Sequence, residues 1–274
     1  MVAICACGCC CVSPEYYGII AMHGVDGSYE HTVVLNLLSK SCCCVHVSAK
    51  IGSGEMTDIP SLTLMCKNFA KPMIVSTGMS TFEEIDRTYS ALLNTGAPFA
   101  LMNCVSEYPP VYEDVNLKVI ETMINRYPSA IIGHSDHTPD LYTSYAAVTL
   151  GARIIEKHVI LDKRQPGPDQ SVSVDFKDLA NLVDGIRKIE DSLGDEKKIH
   201  AKEEKIREWA FRRVVSTQKI AKGQQITGEM LWSKRPGTGI PSRFREAIIG
   251  RTATRDIDNN KLIDWDDIDG SPVE

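Results

Sequence analysis

The sequence predicts an α/β fold with a parallel sheet, either a barrel or an open doubly wound sheet, followed by a small β-rich domain. Short apolar runs alternate with longer amphipathic stretches, and this alternation stops at about residue 211. Such alternation is typical of successive βα units. With 43% hydrophobic and 24% charged residues, the composition is that of an ordinary globular protein.

Five apolar runs carry the strand prediction. They begin at residues 49, 73, 99, 130 and 153, so they recur every 23 to 31 residues, about the length of one βα unit. Nearly continuous apolar runs of this length indicate buried parallel strands. The runs are AKIGS (49–53), MIVST (73–77), FALMNCV (99–105), AIIGHSD (130–136) and RIIEKHV (153–159).

The segments between the strands carry helix signals. Ser80-Thr81-Phe82-Glu83 has the capping-box pattern that begins a helix, and Gly96 is placed to end it. Asp175 begins a second amphipathic helix, with Gly194 just past its end. Its apolar face contains Leu179, Leu182, Val183, Ile186 and Ile189. The highly charged residues 195–211 are predicted to form a helical connector.

The residues after the connector have a different pattern. Residues 212–274 alternate with period two in short pieces, with turns at Gly223, Gly237 and Asn259-Asn260. Short alternating pieces separated by turn residues predict a small β-rich domain.

The first 45 residues differ in composition from the rest. Eight of the ten cysteines precede residue 45. Cys7 with Cys10 has CxxC spacing and Cys43 with His46 has CxxH spacing, so a zinc site is one hypothesis. Adjacent cysteines match many patterns by accident, and we favour the interpretation that residues 1–45 are a foreign or frame-shifted stretch. A disulfide framework is disfavoured because the remaining chain is cysteine-poor.

Charge and hydropathy exclude two classes of partner. The net charge of −6 is spread without a long basic run, so no nucleic-acid interface is expected. No apolar stretch is long enough for a membrane helix, and the start lacks the positive region of a signal peptide. These features predict a cytoplasmic protein without a membrane partner.

Polar side chains follow the predicted strands, at the end where parallel βα barrels place their active sites. They include Lys50, Ser53, Glu55, Ser76, Ser106, Tyr108, Ser135, His137 and His158. His137 and His158 could share a divalent ion, with coordination positions left for water and substrate oxygen. Because these motifs offer no thiolate, Mn²⁺ or Mg²⁺ is favoured over structural zinc. The alternative is a pair of hydrogen-bonded histidines with no metal.

Lys50 and the strand-end serines predict a phosphate site. Lys50, Ser53, Ser76 and Ser135 together offer one cation and three hydroxyls for charge-assisted hydrogen bonds. Each serine alone could equally be a turn or cap residue. Lys50 could instead form a Schiff base, as in aldolases, although the neighbouring serines favour an ionic role.

Six ordered motifs resemble those of the N-acetylneuraminate (sialic acid) synthases and their legionaminic and pseudaminic acid relatives. The resemblance covers about residues 48 to 272. It implies a (β/α)8 TIM barrel joined to a small antifreeze-like domain, also called an SAF domain. The motifs are KIGSGEMTDIP, KPMIVSTGMSTFEEI, NCVSEYPPVYEDVNL, GHSDHTPDLYTSYAAVTLGA, EKHVILDKRQPGPD and KRPGTGI.

The resemblance also implies roles for individual residues. His137 and His158 would bind the metal and, with Glu55, form the catalytic group. Phosphoenolpyruvate would be bound by Lys50, Ser53, Ser76, Ser106 and Ser135, with Ser106 near the carboxylate. The aminosugar would be contacted by Glu55, Tyr108, Asp169 and Arg235. Arg235 would reach the active site of a neighbouring subunit, which implies a domain-swapped homodimer.

The implied reaction condenses phosphoenolpyruvate with an N-acylhexosamine such as N-acetylmannosamine. Its products would be a nine-carbon 2-keto sugar acid and phosphate. The rival hypotheses are an inactive remnant that retains metal or sugar binding, and a carbohydrate-binding module on a structural scaffold.

The chain departs from the family pattern at its start. About three βα units with AEIG and KFQ motifs are expected there and are not found, so the barrel is predicted to be incomplete. Residues 18–40 have a strand-then-helix pattern that could replace one unit. The predicted segments are 1–45, a partial barrel over 46–194, the connector 195–211 and the SAF domain 212–274.

Overall fold

The protein divides into two compact units, Met1–Gly194 and Asp195–Glu274. The structure, a computed structural model, describes residues 19–23, 31–36, 49–69, 72–164, 166–235 and 237–272. The cysteine and histidine pairs of the zinc hypothesis lie outside these ranges. The boundaries predicted at residues 45 and 211 stay predictions.

The first unit consists of strands and helices that alternate after residue 48. Its strands are β1 (Ile19–His23), β2 (His31–Asn36), β3 (Ala49–Ile51), β4 (Met73–Ser76), β5 (Phe99–Cys104), β6 (Ile131–Asp136) and β7 (Ile154–Val159). Its helices are α1 (Ile59–Phe69), α2 (Phe82–Thr95), α3 (Val119–Arg126), α4 (Tyr142–Thr149) and α5 (Phe176–Ser192). Each of the five apolar runs contains one strand from β3 to β7, as predicted.

The strands form one sheet in the order β1-β2-β7-β6-β5-β4-β3. All neighbours from β3 to β7 are parallel. This curled sheet of five parallel strands is consistent with part of a (β/α) barrel. The sequence left a barrel and an open sheet as alternatives, and the curl favours the barrel.

Residues 18–40 differ from the prediction. The predicted helix is wrong for His31–Asn36, which forms a strand antiparallel to β7, while β1 pairs antiparallel with β2. The Thr-Val-Val run at its centre explains the difference, because β-branched residues favour strands. The segment therefore extends the sheet as an antiparallel pair of strands and does not replace a βα unit.

The predicted helix ends are confirmed with one small correction. Thr81 caps α2 and exchanges hydrogen bonds with Glu84, one residue later than the predicted Ser80 and Glu83. The Ser80 hydroxyl instead donates to the Gly78 carbonyl at 3.2 Å. Gly96 ends the helix in the left-handed conformation with φ 71°. Asp175 caps α5 by accepting from the Asp178 N–H, as predicted.

The parallel sheet has two differently packed faces. Alternate residues of a strand point to opposite faces. On β5, Phe99 and Leu101 belong to the large core that includes helix residues, whereas Ala100 and Met102 pack with Ile74 in a smaller cluster. We call the face of this smaller cluster the inner face. By alternation, Cys104 continues along it toward the end of the strand.

The second unit contains helix α6 (Ala201–Ala210), strands β8 (Arg213–Ser216) and β9 (Leu231–Lys234), and helix α7 (Arg245–Ile248). The predicted connector is helical over α6. β8 and β9 form an antiparallel pair, and isolated bridges such as Ile220 with Ile257 join the rest around an isoleucine-rich core. Across the described ranges, no helix is both long and apolar enough to cross a membrane.

Candidate functional site

Lys50 connects three strands on the inner face. Its Nζ donates to Ser76 Oγ at 2.6 Å and lies 3.2 Å from Glu156 Oε2. The side chains of Lys50 and Glu156 are only 10% and 8% exposed. Although the charges are paired, Glu156 Oε2 has no partner with hydrogen-bond geometry. The pair thus offers a buried cation and a buried acceptor at the same place.

A second group of polar atoms surrounds Gly78 at the end of β4. The Gly78 N–H donates to Ser53 Oγ at 3.1 Å, and Ser53 Oγ lies 3.7 Å from Cys104 Sγ. A Cβ added at Gly78 would lie 2.2 Å from Ser106 Oγ and 2.7 Å from Ser53 Oγ. The missing side chain therefore lets the two hydroxyls approach the backbone closely, which suits an anion cradle.

His137 and His158 lie side by side near the ends of β6 and β7. Their ring centroids are 5.3 Å apart, and the Tyr108 ring stacks on His137 at 4.2 Å. The Tyr108 ring also meets His158 edge to face at 5.6 Å. The two imidazoles and the phenol thus form one aromatic cluster.

Polar contacts orient both imidazoles. His137 Nδ1 lies 2.7 Å from the Val105 carbonyl oxygen and therefore donates to it, which leaves Nε2 as an acceptor 3.1 Å from the Tyr108 hydroxyl. Burial and nearby negative groups raise the pKa of Tyr108, so this hydroxyl keeps its proton. His158 Nδ1 lies 3.3 Å from Asp169 Oδ2, a carboxylate contact that leaves Nε2 available.

Two neighbouring imidazoles are a donor set that could hold a divalent cation. Imidazole nitrogens bind such ions at about 2.1 Å, and rings at this separation can converge on one ion. Within the described ranges, no three His, Cys, Asp or Glu residues form a metal-binding group. A cation bound by His137 and His158 would therefore have two imidazoles as its protein donors, and water or substrate oxygens would have to complete the coordination.

The thiol of Cys104 interacts with this cluster. Burial opposes charge on both Cys104 and His137. Their mutual interaction, together with a hydrogen bond from Ser53 to Cys104 and the effects of Val105 and Glu156 on His137, outweighs burial. The pKa of Cys104 is therefore lowered and the pKa of His137 is raised. Cys104 was not among the predicted site residues. Its i, i+2 spacing from Ser106 at a strand end was the signal that could have identified it.

The opposite face of the sheet carries a second buried ion pair. Lys157 Nζ lies 3.3 Å from Asp136 Oδ1, and both side chains are at most 1% exposed. Burial raises the pKa of Asp136. The charges of Lys157 and His134 and the hydrogen bonds from Ser144 and Thr138 together outweigh burial and lower this pKa to about 2. Asp136 and Lys157 directly precede His137 and His158, and no sequence pattern assigned a role to Lys157.

The predicted site residues are distributed as follows. Lys50 and Ser76 are in contact, Ser53 and Ser106 flank Gly78, and Tyr108, His137, His158 and Asp169 form the imidazole cluster. Ser135 is buried, opposite Cys104 and Glu156 in the sheet register.

Two predicted site residues lie apart from these groups. Glu55 is exposed with its carboxylate beside Gly52, and no described contact joins it to the histidines. Arg235 is in the second unit, where it lines a cavity of about 400 Å³ with Arg212, Trp232, Ser233 and Lys234. The roles of all these residues stay predictions.

Comparison with protein families gives two matches. The profile of the NeuB family matches residues 35–198. The profile of the SAF domain matches residues 211–269. Together the two profiles cover most of the chain.

Individual relatives agree with these families. The N,N'-diacetyllegionaminic acid synthase of Campylobacter jejuni is 36% identical, over 78% of this chain and 65% of its own length. The human N-acetylneuraminate-9-phosphate synthase is 36% identical, over 68% of this chain and 52% of its own. The crystal structure of the spore coat polysaccharide biosynthesis protein SpsE of Bacillus subtilis is 34% identical with a TM-score of 0.51, covering 82% of this chain and 68% of that one. The chain thus spans between half and two thirds of the length of these two synthases.

Proposed function

Because the chain belongs to the NeuB family and carries an SAF domain, we propose that it condenses phosphoenolpyruvate with an N-acylhexosamine. The products would be a nine-carbon 2-keto sugar acid and phosphate. The observation that carries this proposal is the placement of His137 beside His158, on the sheet face that holds Lys50. The proposal includes a cytoplasmic location.

The cationic and hydroxyl groups would bind phosphoenolpyruvate. Lys50 supplies a buried positive charge, and Ser76 already accepts a hydrogen bond from it. The hydroxyls of Ser53, Ser106 and Ser135 would add hydrogen bonds to the phosphate and carboxylate. Charge-assisted hydrogen bonds of this kind are about twice as strong as neutral ones.

The imidazole cluster would act on the sugar aldehyde. We propose that His137 and His158 hold Mn²⁺ or Mg²⁺, which supplies Lewis acidity toward the aldehyde oxygen. Tyr108, Asp169 and Glu55 would orient the aminosugar. Holding both substrates in one site removes much of the entropic cost of their encounter.

The bond changes balance with one water molecule. Carbon 3 of phosphoenolpyruvate attacks the aldehyde carbon, and this forms the new C–C bond. The aldehyde oxygen takes a proton, water adds its oxygen to carbon 2, and phosphate leaves with the remaining proton. Glu156 Oε2 is a buried acceptor on the same face that could take a proton from the water.

The sugars to be tested are chosen from the number of carbons in the product and from the names of the relatives. Phosphoenolpyruvate supplies three carbons, so a 9-phosphate product requires a hexosamine phosphorylated at carbon 6. We would incubate the purified chain with Mn²⁺, phosphoenolpyruvate and either N-acetylmannosamine, its 6-phosphate or a diacetamido hexose. Release of keto acid and phosphate is expected from one of them, with loss in His137→Ala and His158→Ala.

The outcomes separate the competing hypotheses. If no sugar yields product while Mn²⁺ still binds, the inactive-remnant hypothesis is supported. Product formation that survives both histidine substitutions would contradict the proposed site. If the histidine variants still bind the sugar and only Arg235→Ala loses this binding, a carbohydrate-binding module is favoured.

A domain-swapped homodimer is the proposed assembly. In this assembly, Arg235 of one subunit would complete the site of the other. Mixing inactive His137→Ala with inactive Arg235→Ala should then restore about a quarter of wild-type activity, if subunits exchange at random. Activity that stays absent in a mixture shown to contain mixed dimers would contradict the swap.

A further inference from the structure

The buried ion pair of Asp136 and Lys157 is not explained by substrate binding. Asp136 and Lys157 are opposite each other in the parallel register of β6 and β7. Lys157 alternates with Glu156 and His158 along β7, so it lies on the helix side of the sheet together with Ile155 and Val159. The pair therefore packs behind the two histidines and does not reach a ligand.

The carboxylate of Asp136 is held by a dense set of donors. It accepts from the Thr138 N–H at 2.8 Å, the Thr138 hydroxyl at 2.7 Å, the Thr143 hydroxyl at 2.8 Å and the Ser144 hydroxyl at 2.5 Å. Lys157 Nζ also donates to the Thr138 carbonyl oxygen. These bonds fix the residues on both sides of His137 and the start of α4.

Stability alone is a weak explanation for such a pair. The desolvation cost of two buried charges can exceed their attraction, and apolar residues of similar volume often replace such pairs without loss. A pair of this kind does fix geometry, because each buried charge has few alternative partners where water is excluded. Here the fixed geometry joins the residue before His137 to the residue before His158.

We propose that Asp136 and Lys157 are positioning residues that set the separation and orientation of His137 and His158 for binding one divalent cation. Lys157 fixes β7 against β6, and Asp136 and Thr138 hold the backbone around His137. This inference rests on the proposed function, because it concerns the same imidazole pair. It adds the requirement that cation affinity depends on charges that never touch the cation.

The test is Mn²⁺ binding to the full chain, measured by calorimetry and by the Mn²⁺ electron paramagnetic resonance spectrum. The double variant Asp136→Asn/Lys157→Met keeps the volume and leaves no uncompensated charge. It is expected to fold with the wild-type circular dichroism spectrum and to bind Mn²⁺ about 10-fold to 100-fold more weakly, with a changed spectrum. The matched control is Asp267→Asn, which alters a buried, hydrogen-bonded aspartate of the second unit. It should leave both measurements unchanged.

A second variant covers the case in which the double variant does not fold. Ser144→Ala removes one hydrogen bond from Asp136 and keeps the ion pair, and a several-fold loss of Mn²⁺ affinity is expected. If a folded variant of either kind binds Mn²⁺ with wild-type affinity, the positioning role is refuted and the proposed function is unaffected.

Two further outcomes concern the wild-type chain. A wild-type chain that binds no Mn²⁺ would overturn both the metal proposal and the positioning role. A wild-type chain that binds Mn²⁺ but makes no product contradicts the proposed function alone. In that case, weaker binding by the variants still supports the positioning role.

Discussion

Lys50 Nζ lies 3.2 Å from Glu156 Oε2, although their strands, β3 and β7, are the two ends of the five-stranded parallel part of the sheet. Four strand spacings in a flat sheet would separate them by about 19 Å, at about 4.8 Å per strand. The two side chains cannot bridge that distance together. The contact therefore requires the sheet to curl, and the curl brings the two ends of its parallel part to one site.

Removal of one partner of this pair should cost both stability and anion binding. Lys50→Met leaves the Glu156 carboxylate buried without a counter-charge, which is expected to lower the free energy of unfolding by about 3 kcal/mol. Lys50→Met/Glu156→Gln should recover most of that loss and still bind phosphoenolpyruvate at least about tenfold more weakly. Urea unfolding and calorimetric titration measure the two effects. Wild-type phosphoenolpyruvate affinity in the double variant would contradict the anion role of Lys50.

Gly78→Ala should weaken binding of phosphoenolpyruvate. The new methyl group would lie within 3.0 Å of two serine hydroxyls, so Ser53 and Ser106 must rotate away from their present positions. The loss of hydrogen bonds to a charged ligand is expected to weaken binding by about tenfold or more. Gly54→Ala is the matched control, because a Cβ there meets nothing within 4 Å. Equal affinities of the two variants, measured by calorimetry, would exclude the cradle around Gly78.

Asp169→Asn should weaken binding of the proposed cation. The Asp169 carboxylate lies 3.3 Å from His158 Nδ1, and loss of such a partner typically reduces metal affinity about 10-fold to 100-fold. Removal of metal with a chelator followed by titration with Mn²⁺ gives the affinity. Asp162→Asn on the loop after β7 is the control, since Asp162 pairs with the exposed Arg164. An equal loss of Mn²⁺ affinity in Asp162→Asn would indicate a general effect of removing a negative charge.

The carboxylate of Asp86 should contribute to stability in a pH-dependent way. The pKa of Asp86 lies below its usual value. Hydrogen bonds from Arg126 make the largest contribution, and a hydrogen bond from Tyr127 makes a smaller one. Because the folded-state pKa is lowered, the stabilisation is complete above the unfolded pKa of about 3.9 and is lost as pH falls through the folded-state pKa. Asp86→Asn is expected to cost about 1 kcal/mol or less at pH 7, since Asp86 is 39% exposed.

Comparison of denaturation curves at two pH values tests this prediction. The difference in the free energy of unfolding between wild type and Asp86→Asn should become smaller as the pH is lowered from 7 to 3. A difference in the free energy of unfolding that is larger at pH 3 than at pH 7 would contradict the predicted direction of the pH dependence.

Local patterns were sufficient for the strands β3 to β7 and for the helices α2 and α5. Apolar runs predicted β3 to β7 because a strand buried on both faces must be apolar along its whole length. The caps at Asp175 and Gly96 were equally readable, because capping depends on residues adjacent in sequence. The strand His31–Asn36 was mispredicted. Its β-branched run favours a strand locally, but its pairing with β7, a partner far away in the chain, could not be read from local sequence.

The sequence by itself determined which residues end the strands, and therefore which side chains could share a site. Only the tertiary structure decided their partners: Lys50 with Glu156, Cys104 with Ser53, and Asp136 with Lys157. The physical reason is that alternation along a strand assigns a side chain to a face, whereas contact between side chains depends on the shear and curl of the whole sheet.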